Sequence, residues 1–140
     1  MTRKPVNILL VEDDEIDAEW IRRGLANNSI VNDVHHAWDG VEALAMLRGD
    51  GVPSIQPPYL LLVDINMPRM NGIELIQQLR ADPKFSKTVA FILTTSDRSE
   101  DKKQAYGLNV AGYIVKSEIG KTFKPMIDML EHYWKIVELP

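Results

Sequence analysis

The chain has 140 residues, 45% apolar and 26% charged, with 16 basic and 20 acidic side chains and a formal net charge of −4. That describes one ordinary globular domain, long enough for a proper core, and its acidic balance disfavours nonspecific binding to nucleic acid or anionic lipid. The absence of cysteine excludes disulfides, thiolate nucleophiles and Cys-based zinc sites. The apolar stretch from Val6 to Val11 is too short for a signal peptide or a membrane span, so a cytoplasmic location is expected.

In chain order, short apolar runs alternate with amphipathic stretches, the pattern of an α/β parallel sheet covered on both faces. Val6 to Val11 reads as the first strand. Asp14 to about Asn27 reads as a helix N-capped by Asp14, with Ile16, Trp20, Ile21 and Leu25 expected on one inward face. Asn32 to Ala37 is a weaker second strand. Asp39-Gly40-Val41-Glu42 has the form of a capping box opening a helix to about Arg48, and Gly49 to Pro58 is a Gly- and Pro-rich loop. Tyr59-Leu60-Leu61-Leu62-Val63 is an apolar run too short for a helix, the third strand, and it stops on Asp64. Asn71-Gly72-Ile73-Glu74 starts the next helix, with Ile73, Ile76 and Leu79 facing inward. Val89 to Thr94 is the fourth strand, Asp97 and Glu100 mark a helix to about Tyr106, and Gly112 to Val115 is the fifth strand. The last helix covers roughly Thr122 to Val137, with Pro125 tolerated in its first turn. Five strands and five helices in strict alternation make a doubly wound (βα)5 sheet the expected fold.

The strand ends carry the chemistry. The first strand runs into Glu12-Asp13-Asp14, the third ends in Asp64, the fourth in Thr94 and the fifth in Lys116. All are carboxyl ends, which a doubly wound sheet gathers into one crevice. Glu12, Asp13 and Asp64 crowd together only with a cation, because close like charges raise each other's pKa. Oxygen-only ligands favour Mg²⁺. Lys116 suits a phosphoryl oxygen, Thr94 adds a hydroxyl donor, and an aspartate beside Mg²⁺ and lysine is a competent nucleophile toward phosphorus. The set points to an acyl phosphate on Asp64.

In these residues, from about Val6 to Val137, the chain resembles a response-regulator receiver domain. The family's acidic pair matches Glu12 and Asp13, its phosphoacceptor Asp64, its switch hydroxyl Thr94, its aromatic switch position Tyr113 and its lysine Lys116. The separations of 30 residues from Asp64 to Thr94 and 22 from Thr94 to Lys116 match the family layout. The resemblance implies the flavodoxin-like strand order 2-1-3-4-5, which the chemotaxis member of the family shows. It implies Mg²⁺ on Asp13, Asp64 and the Asn66 backbone carbonyl, with Glu12 acting through water. It also implies a sensor histidine kinase as phosphodonor and a two-state surface switched through Thr94 and Tyr113. Leu93-Thr94-Thr95-Ser96, Val110-Ala111-Gly112-Tyr113-Ile114 and the ending Tyr133-Trp134 and Glu138-Leu139-Pro140 resemble the small regulators that serve bacterial phytochromes. The expected division is a tail 1–5, a receiver 6–137 and a tail 138–140, with no output domain.

Two positions depart from the family. Ser117 follows Lys116 where proline is usual, often after a cis bond; before a non-proline a cis bond costs about 2.5–4 kcal/mol, so a trans Lys116–Ser117 bond is expected. Thr95 stands where smaller residues are common. His35 and His36 lie on a weak strand without i,i+4 partners and receive no metal or phosphodonor role. Lys102-Lys103 and Arg22-Arg23 read as exposed helix positions, and no nucleic-acid or membrane partner is expected.

On the last helix, Ile127, Leu130, Trp134 and Val137 form one apolar stripe and Met126, Met129, Tyr133 and Ile136 a second. The second stripe suggests a homodimer through the fourth helix, fifth strand and fifth helix; the alternative is that the Pro140 tail folds back over it. Two other functions compete. A haloacid-dehalogenase-type phosphatase expects a second carboxylate where this chain has Asn66, and a phosphorylation-independent dimeric scaffold would make no use of Asp64. A flavodoxin-like cofactor binder would need a glycine-rich loop after the first strand, and there is none.

Overall fold

The computed structural model describes residues 6–26 and 31–140. The strands are β1 (Val6–Val11), β2 (Val31–Ala37), β3 (Tyr59–Val63), β4 (Val89–Thr94) and β5 (Gly112–Val115). The helices between and after them are α1 (Glu15–Ala26), α2 (Gly40–Arg48), α3 (Gly72–Ala81), α4 (Ser99–Gly107) and α5 (Lys124–Ile136), with one 3₁₀ turn at Lys116–Glu118. All five strands pair in parallel in the order β2-β1-β3-β4-β5. The expected fold and strand order are therefore those observed. The expected tail 1–5 and the helix end at Asn27 lie outside the described residues.

Alternation along each strand divides the core in two. Leu9, Val11, Leu61, Val63, Ala90 and Ile92 face α2, α3 and α4. Ile8, Leu10, Leu60, Leu62, Phe91 and Leu93 face α1 and α5. Because both faces are covered, the strands read as continuous apolar runs.

The inward face of α1 differs from expectation. Ala18, Ile21 and Leu25 are buried, whereas Ile16 is 70% and Trp20 42% exposed. At about 100° per residue, Ile16 and Trp20 lie on the side opposite the Ala18–Ile21–Leu25 stripe, so only one pair of the expected four could face the sheet. α3 follows expectation: Ile73, Ile76 and Leu79 are buried, joined by Leu75, and the Asn71–Glu74 capping box is complete. At α2 the box is only half formed. Asp39 accepts from the Glu42 amide at 2.9 Å, and its other oxygen is taken by Arg69 Nε at 2.7 Å.

That second bond has a purpose in the fold. Arg69 lies in the loop after β3, in the left-handed region with φ 63°, and next to it the Met70 carbonyl accepts from the Gly40 amide at 3.0 Å. The loop following Asp64 is thus tied to the start of α2 at two points. Arg80, at the end of α3, ties the opposite edge of the sheet. It donates to the carbonyls of Leu108, Ser86, Thr88 and Asn109.

On α5 the two apolar stripes are unequal. Ile127, Leu130 and Trp134 are buried, but Val137 lies past the helix and is partly exposed. The second stripe is not a single outer face: Met126 is 2% exposed and belongs to the core. Tyr133 is half-buried, edge-on to Phe91 at 5.3 Å, while Met129 and Ile136 are exposed. A broad apolar arc on a helix can bury more than one stripe, and here Met126 joins the core cluster between the sheet, α1 and α5. The chain end also turns back, with Leu139 packed against the same core cluster.

Burial alone would raise the Asp39 carboxyl, but the hydrogen bond from Arg69, the Glu42 and Val41 amides and the Arg69 charge outweigh it and hold it below its ordinary 3.8. A value lowered by folding gives stability that is full above the ordinary carboxylate range and lost as pH falls through the folded value. Arg69 is largely exposed, so solvent screening keeps the contribution small. Asp39→Asn keeps an N-cap acceptor, so urea unfolding should show the parent more stable at pH 7 and the gap closing as pH falls below the ordinary carboxylate range.

Candidate functional site

The chain winds from β1 toward β2 at one edge and from β3 toward β4 and β5 at the other, so the strand order reverses between β1 and β3. At such a point the two carboxyl-end loops diverge and leave a crevice. Glu12 and Asp13 leave β1 on one side of it and Asp64 leaves β3 on the other. The register holds them level: the Asp64 amide donates to the Val11 carbonyl at 2.9 Å and the Glu12 amide to the Ala37 carbonyl at 3.0 Å. Oxygens of Glu12, Asp13 and Asp64 all lie within 4.8 Å of one another, with Glu12 and Asp64 buried and Asp13 exposed.

Lys116 reaches into this cluster from the end of β5. Its Nζ is 2.5 Å from Glu12 Oε1, 2.8 Å from Asp17 Oδ2 and 3.6 Å from Asp64 Oδ2, and its side chain is 9% exposed. The Lys116–Ser117 bond is trans, as expected, since the cis bond found among the described residues is Pro57–Pro58. Burial works against the ammonium, but the hydrogen bond to Asp17, the close Glu12 carboxylate and the charge of Asp64 outweigh it and push its pKa up. Lys116 is therefore a fixed positive charge. Glu12 is pushed up to about 8, first by burial and then by the Asp64 charge, with Lys116 opposing both.

Glu12 Oε2 accepts from the Asp14 amide at 3.1 Å. Glu12 Oε1 is buried and has no hydrogen-bond partner, its contact with Lys116 being an ion pair without hydrogen-bond alignment. An orphaned buried carboxylate oxygen next to two further carboxylates is a donor set that fits a hard divalent cation. Such a cation would also reverse the upward push on Glu12, because it stabilises the ionised form.

The remaining expected residues surround this centre. Thr94 is fully buried at the end of β4, paired in register with Val115 just before Lys116, and its Oγ1 accepts from the Ser96 amide at 3.3 Å. Asn66 is exposed, and its amide points to Asp64 Oδ1 at 3.4 Å. Tyr113 stands farther out: its hydroxyl donates to the Ser96 carbonyl at 2.9 Å, and burial, only partly opposed by that bond, raises its pKa.

Three contributors were not singled out from sequence. Asp17 binds Lys116 across 99 residues, and its only local signal is an acid in the first turn of α1, which also suits the helix dipole. His36 Nε2 lies 2.8 Å from the Glu12 carbonyl, bracing the β1 exit from the edge strand. Gly72 reads as part of a helix start, yet a Cβ there would sit 2.2 Å from the Asp64 carbonyl oxygen. Only glycine allows α3 to begin that close to the acidic loop.

The response regulator receiver domain model matches residues 8–127. The chain belongs to the response regulator receiver family. This receiver is 32% identical over 138 residues to response regulator Rcp1 of Synechocystis sp., covering 97% of the chain and 94% of the relative. The Mn²⁺-bound form of Rcp1 superposes with a TM-score of 0.87 over 97% of the chain and 99% of Rcp1, at 32% identity. The phosphorylated cyanobacterial phytochrome response regulator RcpA superposes with a TM-score of 0.86 at 32% identity, over 96% of the chain and 97% of RcpA. The chain is thus a phosphorelay response regulator, a phosphoacceptor class whose partner is a sensor kinase, and its acidic cluster fits a divalent-metal site. Among the described residues no helix is long and apolar enough to cross a membrane.

Asp13→Asn should weaken binding of a divalent cation, with Mn²⁺ as the probe, by about tenfold or more, read by titration calorimetry. Asp14→Asn, which alters only the α1 cap, should leave the affinity of the parent.

Proposed function

We propose that this receiver takes a phosphoryl group on Asp64 from a sensor histidine kinase of the phytochrome type, with Mg²⁺ as its cation. The observation that carries the reading is the convergence of Lys116, Glu12 and Asp13 on a buried Asp64 at the switch point of the sheet. The reading of the pathway rests on likeness to RcpA, a cyanobacterial phytochrome response regulator.

Asp64 attacks the phosphorus of a docked phosphohistidine in line, the P–N bond breaks, and its electron pair stays on the imidazole nitrogen, which takes up a proton. Asp13, Asp64 and the Asn66 backbone carbonyl would hold Mg²⁺, with Glu12 acting through water. When bound, Mg²⁺ neutralises charge developing on the transferring group. Lys116 lies 3.6 Å from Asp64, so a short movement carries its ammonium to a phosphoryl oxygen. Thr94, anchored at the end of β4, donates its hydroxyl to another. Tyr113 is linked to the same β4–α4 loop through Ser96, so movement of Thr94 is transmitted to the α4–β5–α5 surface. Water then hydrolyses the acyl phosphate and resets the switch. A cytoplasmic location completes the reading.

With Mg²⁺ and acetyl phosphate, the parent should take up label that stays on the protein, and Asp64→Asn should take up none. Fast turnover of free phosphoesters would favour the phosphatase reading, and Asp64-independent behaviour the scaffold.

The homodimer is proposed on a smaller face than the sequence suggested. Met126 is withdrawn into the core, leaving Met129, Ile136 and the edge of Tyr133 on α5, with Tyr106 exposed on α4. Sedimentation should show a dimeric parent and a monomeric Ile136→Glu, and a monomer in both would sink the dimer. Ile136 is 75% exposed, so this substitution tests association without disturbing the core.

A further inference from the structure

We infer that Asp17 is a positioning residue for Lys116, standing in for the backbone restraint that Ser117 does not supply. The inference rests on the phosphoacceptor reading of Asp64. Lysine carries its charge on a flexible four-carbon stem, and its ammonium has three donors but no preferred direction of its own. Lys116 leaves β5 straight into the 3₁₀ turn Lys116–Glu118, held by one 3.3 Å bond from the Ile119 amide to the Lys116 carbonyl. A proline after the lysine would lock one torsion of that turn, whereas serine leaves it free.

The restraint comes instead from the side-chain end. Asp17 Oδ2 accepts from Lys116 Nζ at 2.8 Å, the one well-aligned hydrogen bond recorded for that ammonium. The Asp17 backbone is anchored in the first turn of α1, where its amide donates to Asp14 Oδ1 at 3.0 Å. It lies outside the trio of acids that converge on one point, so its carboxylate is not used for the cation. Glu12 takes the ammonium on a second side at 2.5 Å. Held between Asp17 and Glu12 on the α1 and β1 side, the ammonium stands 3.6 Å from the Asp64 carboxylate. Asp17 thus preorganises the donor that meets the phosphoryl group, so less ordering is left for the moment of transfer.

The test uses the full chain and beryllofluoride with Mg²⁺ as the phosphoryl mimic. Asp17→Ala should bind beryllofluoride about tenfold more weakly than the parent, with Mg²⁺ affinity within about threefold and an unchanged unfolding midpoint. Asp17→Asn, which keeps a neutral acceptor, should fall between the two. Unchanged or tighter beryllofluoride binding in Asp17→Ala overturns the inference. A parent that binds no beryllofluoride defeats the phosphoacceptor reading instead. In that case the tether is read separately from the ¹⁵Nζ signal of Lys116: slow proton exchange in the parent and fast exchange in Asp17→Ala are expected, and equal rates overturn it.

Discussion

Everything at the carboxyl edge of the sheet depends on one buried ammonium. Glu12, Asp13 and Asp64 place oxygens within 4.8 Å of one another, and two of these side chains are out of water. Without positive charge, such a group must protonate or move apart. Lys116 supplies the charge, held as an ammonium by the same acids it neutralises. A hard divalent cation at the acidic trio is the second source of charge the geometry accommodates. The site is therefore balanced between lysine and metal, and a phosphoryl group on Asp64 would enter that balance as another anion seeking the same cations.

The fold holds this balance in place by constraints that lie outside the cluster. The sheet sets Glu12 and Asp64 level by parallel register on either side of the strand-order reversal. Gly72 lets α3 start against the Asp64 carbonyl, and the Arg69–Asp39 pair ties the intervening loop to α2. At the other edge Arg80 gathers four carbonyls from two loops, bringing the end of α4 beside the start of β4. Interior groups that would otherwise be left without partners, loop carbonyls above all, make such a side chain costly to remove.

The outer surface follows a different logic. α1 shows Ile16 and Trp20 to solvent while packing through the small Ala18 together with Ile21 and Leu25. α5 draws Met126 inward and leaves Ile136 out. Apolar residues on an amphipathic helix can belong to the core or to a second interface, and composition does not separate the two. Helical angle and the shape of the facing sheet do. For α1 the angle was readable and pointed away from Ile16; for α5 the width of the groove decided, and that is a property of the packed layers.

The alternation of strands and helices, the strand boundaries to within a residue, and the ordered acids, hydroxyl and lysine at strand ends were legible in the residues alone. These are local facts, set by hydrophobic period and by where each apolar run stops. The sheet order came from resemblance, and the structure agrees with it. That Asp17 holds Lys116, that His36 braces Glu12 and that Gly72 is needed for close approach emerged from packing. Each of those contacts joins segments brought together by the sheet, in one case across 99 residues. An acid in a first helical turn looks the same whether it faces water or a buried lysine, and it is the reach of Lys116 from the end of β5 to α1 that makes the difference.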